Sequence, residues 1–216
     1  MAQEVRKKLY GDYDPYSWVT GEHKDLQRPY DDFGWFSEHK YFTDIINLDK
    51  PKLIVEVGSY LGKSARFMHD ARIKHGEDFE IVCVDTWCGS EEHWAQPELK
   101  EQYRRHDLYE QFLSNCIHTK TDGRITPFRI DAASGNRVFR RLNIRPDLVY
   151  IDGAHDYASA KRDIEQWVHI MNVNACMIID DIWYDDVRRA VADTIIMSGK
   201  GVYAKDDKKF IWRKPA

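Results

Sequence analysis

The alternation of apolar and polar positions changes character near residue 50. From Lys52 onward, short apolar runs take turns with stretches of helical period. Leu53–Val57, Ile81–Val84, Ile125–Ile130, Leu148–Ile151 and Ala175–Ile179 are brief continuous runs, the signature of strands buried on both faces. Helices are predicted over Lys63–Lys74, where Ala65, Met68 and Ala71 share a face, and over Ser134–Leu142. The clearest helix begins at Tyr157, with Ala160, Ile164, Trp167, Val168 and Met171 following on one side. Another places Val187, Ala190, Val191, Thr194 and Ile195 inward, with Asp185-Asp186 at its favourable N-terminal end. The tail reads as a hairpin, residues 201–204 pairing with Lys209–Arg213.

Five strand-then-helix units and a closing antiparallel hairpin predict an α/β domain. Its sheet is Rossmann-like, doubly wound and mostly parallel. The domain runs over residues 51–216, with an insertion at 86–122 that holds an amphipathic helix (Leu99, Tyr103, Phe112, Leu113, Cys116). Residues 1–50 differ: Tyr10, Tyr13, Tyr16, Trp18, Tyr30, Phe33, Trp35 and Phe36 lie among Gly, Asp and Pro, with little period before a helix near Ser37–Asn47. This stretch reads as a cap or lid, or equally as a seal for the core edge.

Composition narrows the function classes. Thirty-two basic against thirty-six acidic residues give a net charge of -4, which offers no overall field for nucleic acid. No apolar run reaches the roughly 20 residues of a membrane span, and the first residues lack a signal-peptide core. Cys83, Cys88, Cys116 and Cys176 form no CxxC pair and read as free thiols of a cytoplasmic protein. A homo-oligomer is compatible with all of this.

Charge enters where the strands stop. Asp152 ends one apolar run, and Asp180-Asp181 ends another. In an open α/β sheet these ends face the ligand site. Three acids delivered there repel one another unless a cation neutralises them, so a divalent metal is the first expectation.

After the first strand comes Glu56-Val-Gly58-Ser-Tyr60-Leu-Gly62-Lys63-Ser64. Tyr60 and Lys63 replace glycines that a pyrophosphate fingerprint needs, and Val57 stands where a P-loop needs glycine. The turn therefore suits a ligand with polar ends and no pyrophosphate. Glu56 can accept from an ammonium group, and backbone N–H groups at the helix start can hold a carboxylate. Asp85 is placed for ribose hydroxyls, and Asp131, beside Ala132 and Ala133, for an adenine amine. Either aspartate also suits a helix cap. Amino acid, ribose and adenine together describe S-adenosylmethionine.

These motifs, in this order and spacing from Lys52 to Arg213, resemble the class I S-adenosylmethionine-dependent methyltransferases. Asp152-Gly-Ala-His155-Asp-Tyr157, Asp180-Asp181, Asp85-Thr-Trp87 and Glu92-His-Trp94 resemble more narrowly the metal-dependent O-methyltransferases. Macrocin and other sugar O-methyltransferases, and cephalosporin-hydroxylase-like relatives, are the nearest likeness. The resemblance implies cofactor contacts at Glu56, Gly58, Ser59, Tyr60, Gly62, Ser64, Asp85, Thr86, Trp87, Asp131, Ala132 and Asp152. It implies Mg²⁺ (or Mn²⁺) on Asp152, Asp180 and Asp181, with His155 as the general base beside Asp152. A small hydroxylated acceptor, a sugar above all, would meet Trp18, His93, Trp94 and Trp183. The rivals are a metal-dependent hydroxylase, whose usual iron site needs a second histidine, and a binding module that keeps the nucleoside pocket without catalysis.

Overall fold

The computed structural model describes residues 3–21, 23–34, 40–95, 107–196, 202–205 and 208–216. Seven strands form one sheet: β1 (Leu53–Val57), β2 (Glu80–Asp85), β3 (Ile125–Arg129), β4 (Leu148–Ile151), β5 (Cys176–Ile179), β6 (Val202–Lys205) and β7 (Phe210–Arg213). Their order is β3-β2-β1-β4-β5-β7-β6. The first five run parallel, and β7 lies antiparallel between β5 and β6. The predicted doubly wound sheet and closing hairpin are both present.

The two faces of the sheet carry separate cores because successive strand side chains point to opposite sides. On one face, Ile54, Ile81, Cys83, Tyr150 and Ile178 pack with α3 (Lys40–Asp49), α4 (Lys63–Ile73) and α6 (Leu108–His118). On the other, Val55, Val57, Val82, Val149 and Met177 pack with α7 (Ala132–Arg141), α8 (Tyr157–Ile170) and α9 (Asp185–Val191). The predicted inward stripe of α8 holds: Ala160, Ile164, Trp167 and Met171 belong to this core, and Tyr157 and Val168 pack on it.

The insertion carries α5 (Glu91–Ala95) and α6, which buries Phe112, Leu113 and Cys116; Leu99 and Tyr103 lie outside the described residues. Trp35, Phe36 and the predicted helix start at Ser37 also lie outside them. The N-terminal stretch is more ordered than its weak period suggests. Its α1 (Glu4–Tyr10) and α2 (Ser17–Thr20) run along the β2–β3 side of the sheet. Glu80 accepts hydrogen bonds from the backbone of Val5 and Arg6 at 3.0–3.1 Å, Arg6 Nε donates to Thr126 Oγ1 at 2.9 Å, and Tyr16 Oη donates to Ile125 O at 2.8 Å. Among the described residues of this stretch, Gly34 is the one that lines the cleft described below.

Candidate active site

A cleft of about 890 Å³ opens at the carboxyl ends of β1, β2, β3, β4 and β5. Gly58 sets its centre. Its φ is +87°, and a Cβ there would lie 2.1 Å from the Asp152 carbonyl oxygen, so only glycine lets the ends of β1 and β4 meet. Gly62 (φ +80°) has the same demand from the Phe112 ring at 2.8 Å. Three non-glycine residues in left-handed conformation, Tyr60, Trp87 and Asp181, also line this cleft. Such backbone strain collects at functional sites.

Beneath the turn, Glu56 is fully buried. Its carboxylate accepts from Ser64 Oγ and, at 3.4 Å, from Cys83 Sγ; burial pushes its pKa up to about 7. Asp85 Oδ2 accepts from the backbone N–H groups of Ser59 (2.8 Å) and Tyr60 (2.9 Å), and Oδ1 from Trp87 (2.7 Å). Two amides of the turn, ahead of the helix start expected to hold a ligand carboxylate, are therefore bound to Asp85. Asp131 caps α7, accepting from Ser134 N at 2.9 Å, and still lines the cleft. Thr86, Trp87, Ala132 and Ser64 lie on the wall, whereas Glu56 and Gly62 sit behind it. Ser59, buried on that wall, has its hydroxyl beside the Glu56 carboxylate, where it opposes part of the rise that burial causes.

The acids at β4 and β5 are arranged differently from expectation. Oxygen and nitrogen donors of Asp152, His155 and Asp181 come within 4.8 Å of one another. Asp180 is not among them. Its Oδ2 receives Lys209 Nζ and the Tyr150 hydroxyl, and Lys209 is wholly buried. The expected cation is thus partly supplied by the chain itself. Antiparallel register explains it: Ile179 faces Phe210, so the next pair along is Asp180 and Lys209.

Tyr150 Oη touches both Asp180 and, at 3.0 Å, Asp152 Oδ2. One phenolic proton cannot serve two carboxylates. Asp152 is the group that carries the second, since burial and the neighbouring Asp180 and Asp181 charges push its pKa up to about 8. Asp181 shifts the other way. Burial raises it, but the hydrogen bonds from His155 and Trp183, with the charges of His155 and Lys209, outweigh that and hold it low. His155 Nε2 lies 2.8 Å from Asp181 Oδ2, and Trp183 Nε1 donates to Asp181 Oδ1 at 2.7 Å.

Aromatic rings flank this end. His155 stacks on Tyr184 (4.4 Å, 11°), which meets Trp183 at 4.0 Å. Across the glycine turn, Tyr60 stacks on His93 at 5.8 Å. Trp183 and His93 line the cleft as expected of acceptor contacts; Trp18 and Trp94 do not. Trp18 instead donates to Glu110 at 3.1 Å, and Trp94 to the Cys88 carbonyl at 2.9 Å. Sequence reasoning missed Tyr184, Lys208, Arg162 and Asp163 on the wall.

Residues 55–182 match the family described as a methyltransferase domain. This chain belongs to that family. Its fold is that of the class I enzymes, as the resemblance implied. An O-methyltransferase from Bacillus cereus in complex with SAH superposes with a TM-score of 0.58 at 10% identity, over 98% of this chain and 96% of that one. TomG from Streptomyces achromogenes, an O-methyltransferase of tomaymycin synthesis in complex with SAM, gives 0.57 at 12%, covering 98% and 95%. CalS11, a TDP-rhamnose 3'-O-methyltransferase of calicheamicin biosynthesis, gives 0.53 at 16%, covering 97% and 90%. Among the described residues, no helix is long and apolar enough to cross a membrane.

Proposed function

We propose that this methyltransferase moves the methyl group of S-adenosylmethionine to a hydroxyl of a small acceptor, a sugar or glycosylated compound, with Mg²⁺ or Mn²⁺ on Asp152 and Asp181. One observation carries the reading: Asp152, His155 and Asp181 converge beside the glycine turn, where a donor bound across β1 and β2 would present its methyl. Two carboxylates suit a hard divalent ion such as Mg²⁺ or Mn²⁺, and the imidazole of His155 beside them is kept for the proton. Asp180, first assigned as a third ligand, is given instead to Lys209, whose pairing holds the base of the site together.

When bound, the ion lowers the pKa of a coordinated hydroxyl. The chain does the rest. Asp181 orients the His155 ring, Tyr184 packs its face, and His155 accepts the acceptor's proton. Holding the acceptor oxygen in line with the transferring methyl is a matter of position, which rigid walls supply. Trp183, 56% exposed, and the Tyr60–His93 stack offer flat faces to the C–H side of a sugar ring. Resemblance to a TDP-rhamnose 3'-O-methyltransferase supports the same acceptor class. Free cysteines, three of them buried, support a reducing, cytoplasmic setting.

The test is release of S-adenosylhomocysteine with a panel of nucleotide sugars. We expect chelator to cut turnover at least about a hundredfold, with recovery on adding Mg²⁺ or Mn²⁺. His155→Ala should lower kcat by roughly 10²–10⁴ and erase the rising limb of its pH profile. Full turnover in chelator removes the metal, and an unchanged pH profile removes the base.

A further inference from the structure

We propose that Asp163 recognises the cofactor's adenine, its Oδ2 accepting a hydrogen bond from the exocyclic amine; this rests on the S-adenosylmethionine reading above. Sheet order fixes which end of the cleft receives the base. The glycine turn after β1 is central, the methyl must point toward Asp152 and His155 on the β4 side, and the nucleoside therefore extends past Asp85 toward the end of β3. The wall there is small and apolar, made by Ile130, Ala132 and Ala154, a slot for a flat ring.

Asp163 closes that slot from α8. It is buried and lines the cleft, and a Cβ built on Gly153 would sit 3.9 Å from its Oδ2. Gly153, lacking a side chain, thus leaves the carboxylate open to the slot. Among the described residues its polar contact is Arg162 Nε, a long 3.4 Å to Oδ1. A carboxylate that lines the cleft with so weak a protein contact has room to accept from a ligand amine. Burial pushes this carboxyl up to about 6, the mark of a group short of donors. Asp131, the residue first expected to read the amine, has its Oδ1 committed to the cap of α7. The Asn136 side chain donates to the Gln166 carbonyl at 3.0 Å, tying α7 to α8 and setting the width of the slot.

The experiment uses calorimetry with S-adenosylhomocysteine and S-inosylhomocysteine, which differ in a carbonyl replacing the 6-amine. A carbonyl facing Asp163 sets two acceptors against each other, so the wild-type chain should prefer the adenosyl ligand by at least about tenfold. Asp163→Ala should bring the two affinities within about twofold, while Asp131→Ala keeps the wild-type ratio. Equal affinity of wild type for both ligands overturns the proposal without any variant. An unchanged ratio in Asp163→Ala, or a collapsed one in Asp131→Ala, overturns it as well. If wild type binds neither ligand, the cofactor reading itself fails, which is a separate result.

Discussion

The two ends of the parallel strands handle their acids in opposite ways. At the amino end, Glu80 accepts from the backbone of Val5 and Arg6, while Asp147 accepts from Lys52 N and Leu53 N at 3.0 Å and from Asn172 Nδ2 at 2.8 Å. Both have donors in plenty, and both tie segments distant in sequence to a strand end. At the carboxyl end, the six oxygens of Asp152, Asp180 and Asp181 share one lysine, one tyrosine, one histidine, one tryptophan and the Asp181 amide. Residue type is the same at both ends; the supply of donors differs. Where donors suffice, an acid is structure. Where they fall short, it keeps capacity for a proton, a cation or a substrate.

The largest expected break in this contrast comes from Asp152→Ala. Turnover should fall roughly a thousandfold or more, while affinity for S-adenosylhomocysteine changes little and, above about pH 8 where Asp152 is charged, Tm holds or rises because one of three repelling acids is gone. A loss of binding as deep as the loss of rate would return Asp152 to a cofactor-holding role. Next in size is Glu80→Ala at the opposite end. Two backbone N–H groups lose their acceptor, so urea denaturation should report about 2–3 kcal/mol less stability with kcat unchanged.

A pH series sharpens the same contrast. In the folded chain Glu56 and Asp152 keep protons up to about 7 and about 8, whereas in the unfolded chain they shed them near 4. Unfolding thus releases protons in that window, and stability falls as pH rises through it. Tm measured without added ions should decline from pH 5 to 8, and less so in Asp152→Ala. Mg²⁺ or Mn²⁺ should raise Tm more at pH 8 than at pH 6, since the ion takes the proton's place. A flat profile would contradict the crowding of acids. The smallest effect is Asp131→Ala, a lost helix cap worth about 1 kcal/mol in denaturation.

Much of the sheet was legible because β1, β4 and β5 are short apolar runs with no competing period. The stripe of α8 was legible for the same reason. By contrast α1 and α2 were not, since their order comes from contacts with Glu80, Thr126 and Ile125 far along the chain, which leave no local pattern. The site was half visible. Asp152, His155 and Asp181 stand at strand ends as read, but Lys209 hid inside a charged tail. Aligning Phe210 with Ile179 in an antiparallel pair of β5 and β7 would have set it against Asp180. Trp18 and Trp94 show the limit of reading aromatics by abundance: each ring's N–H already has a protein acceptor.

Gly58 carries a consequence for anyone who would redesign this protein. Its missing side chain is what lets the donor turn rest against the Asp152 backbone. Under the proposed function, acceptor range would be explored at His93 or Trp183, on the outer wall, without touching that contact. Residue 58 allows no such exploration: a library that varies it would push the turn after β1 off the end of β4, and every survivor should still encode glycine there.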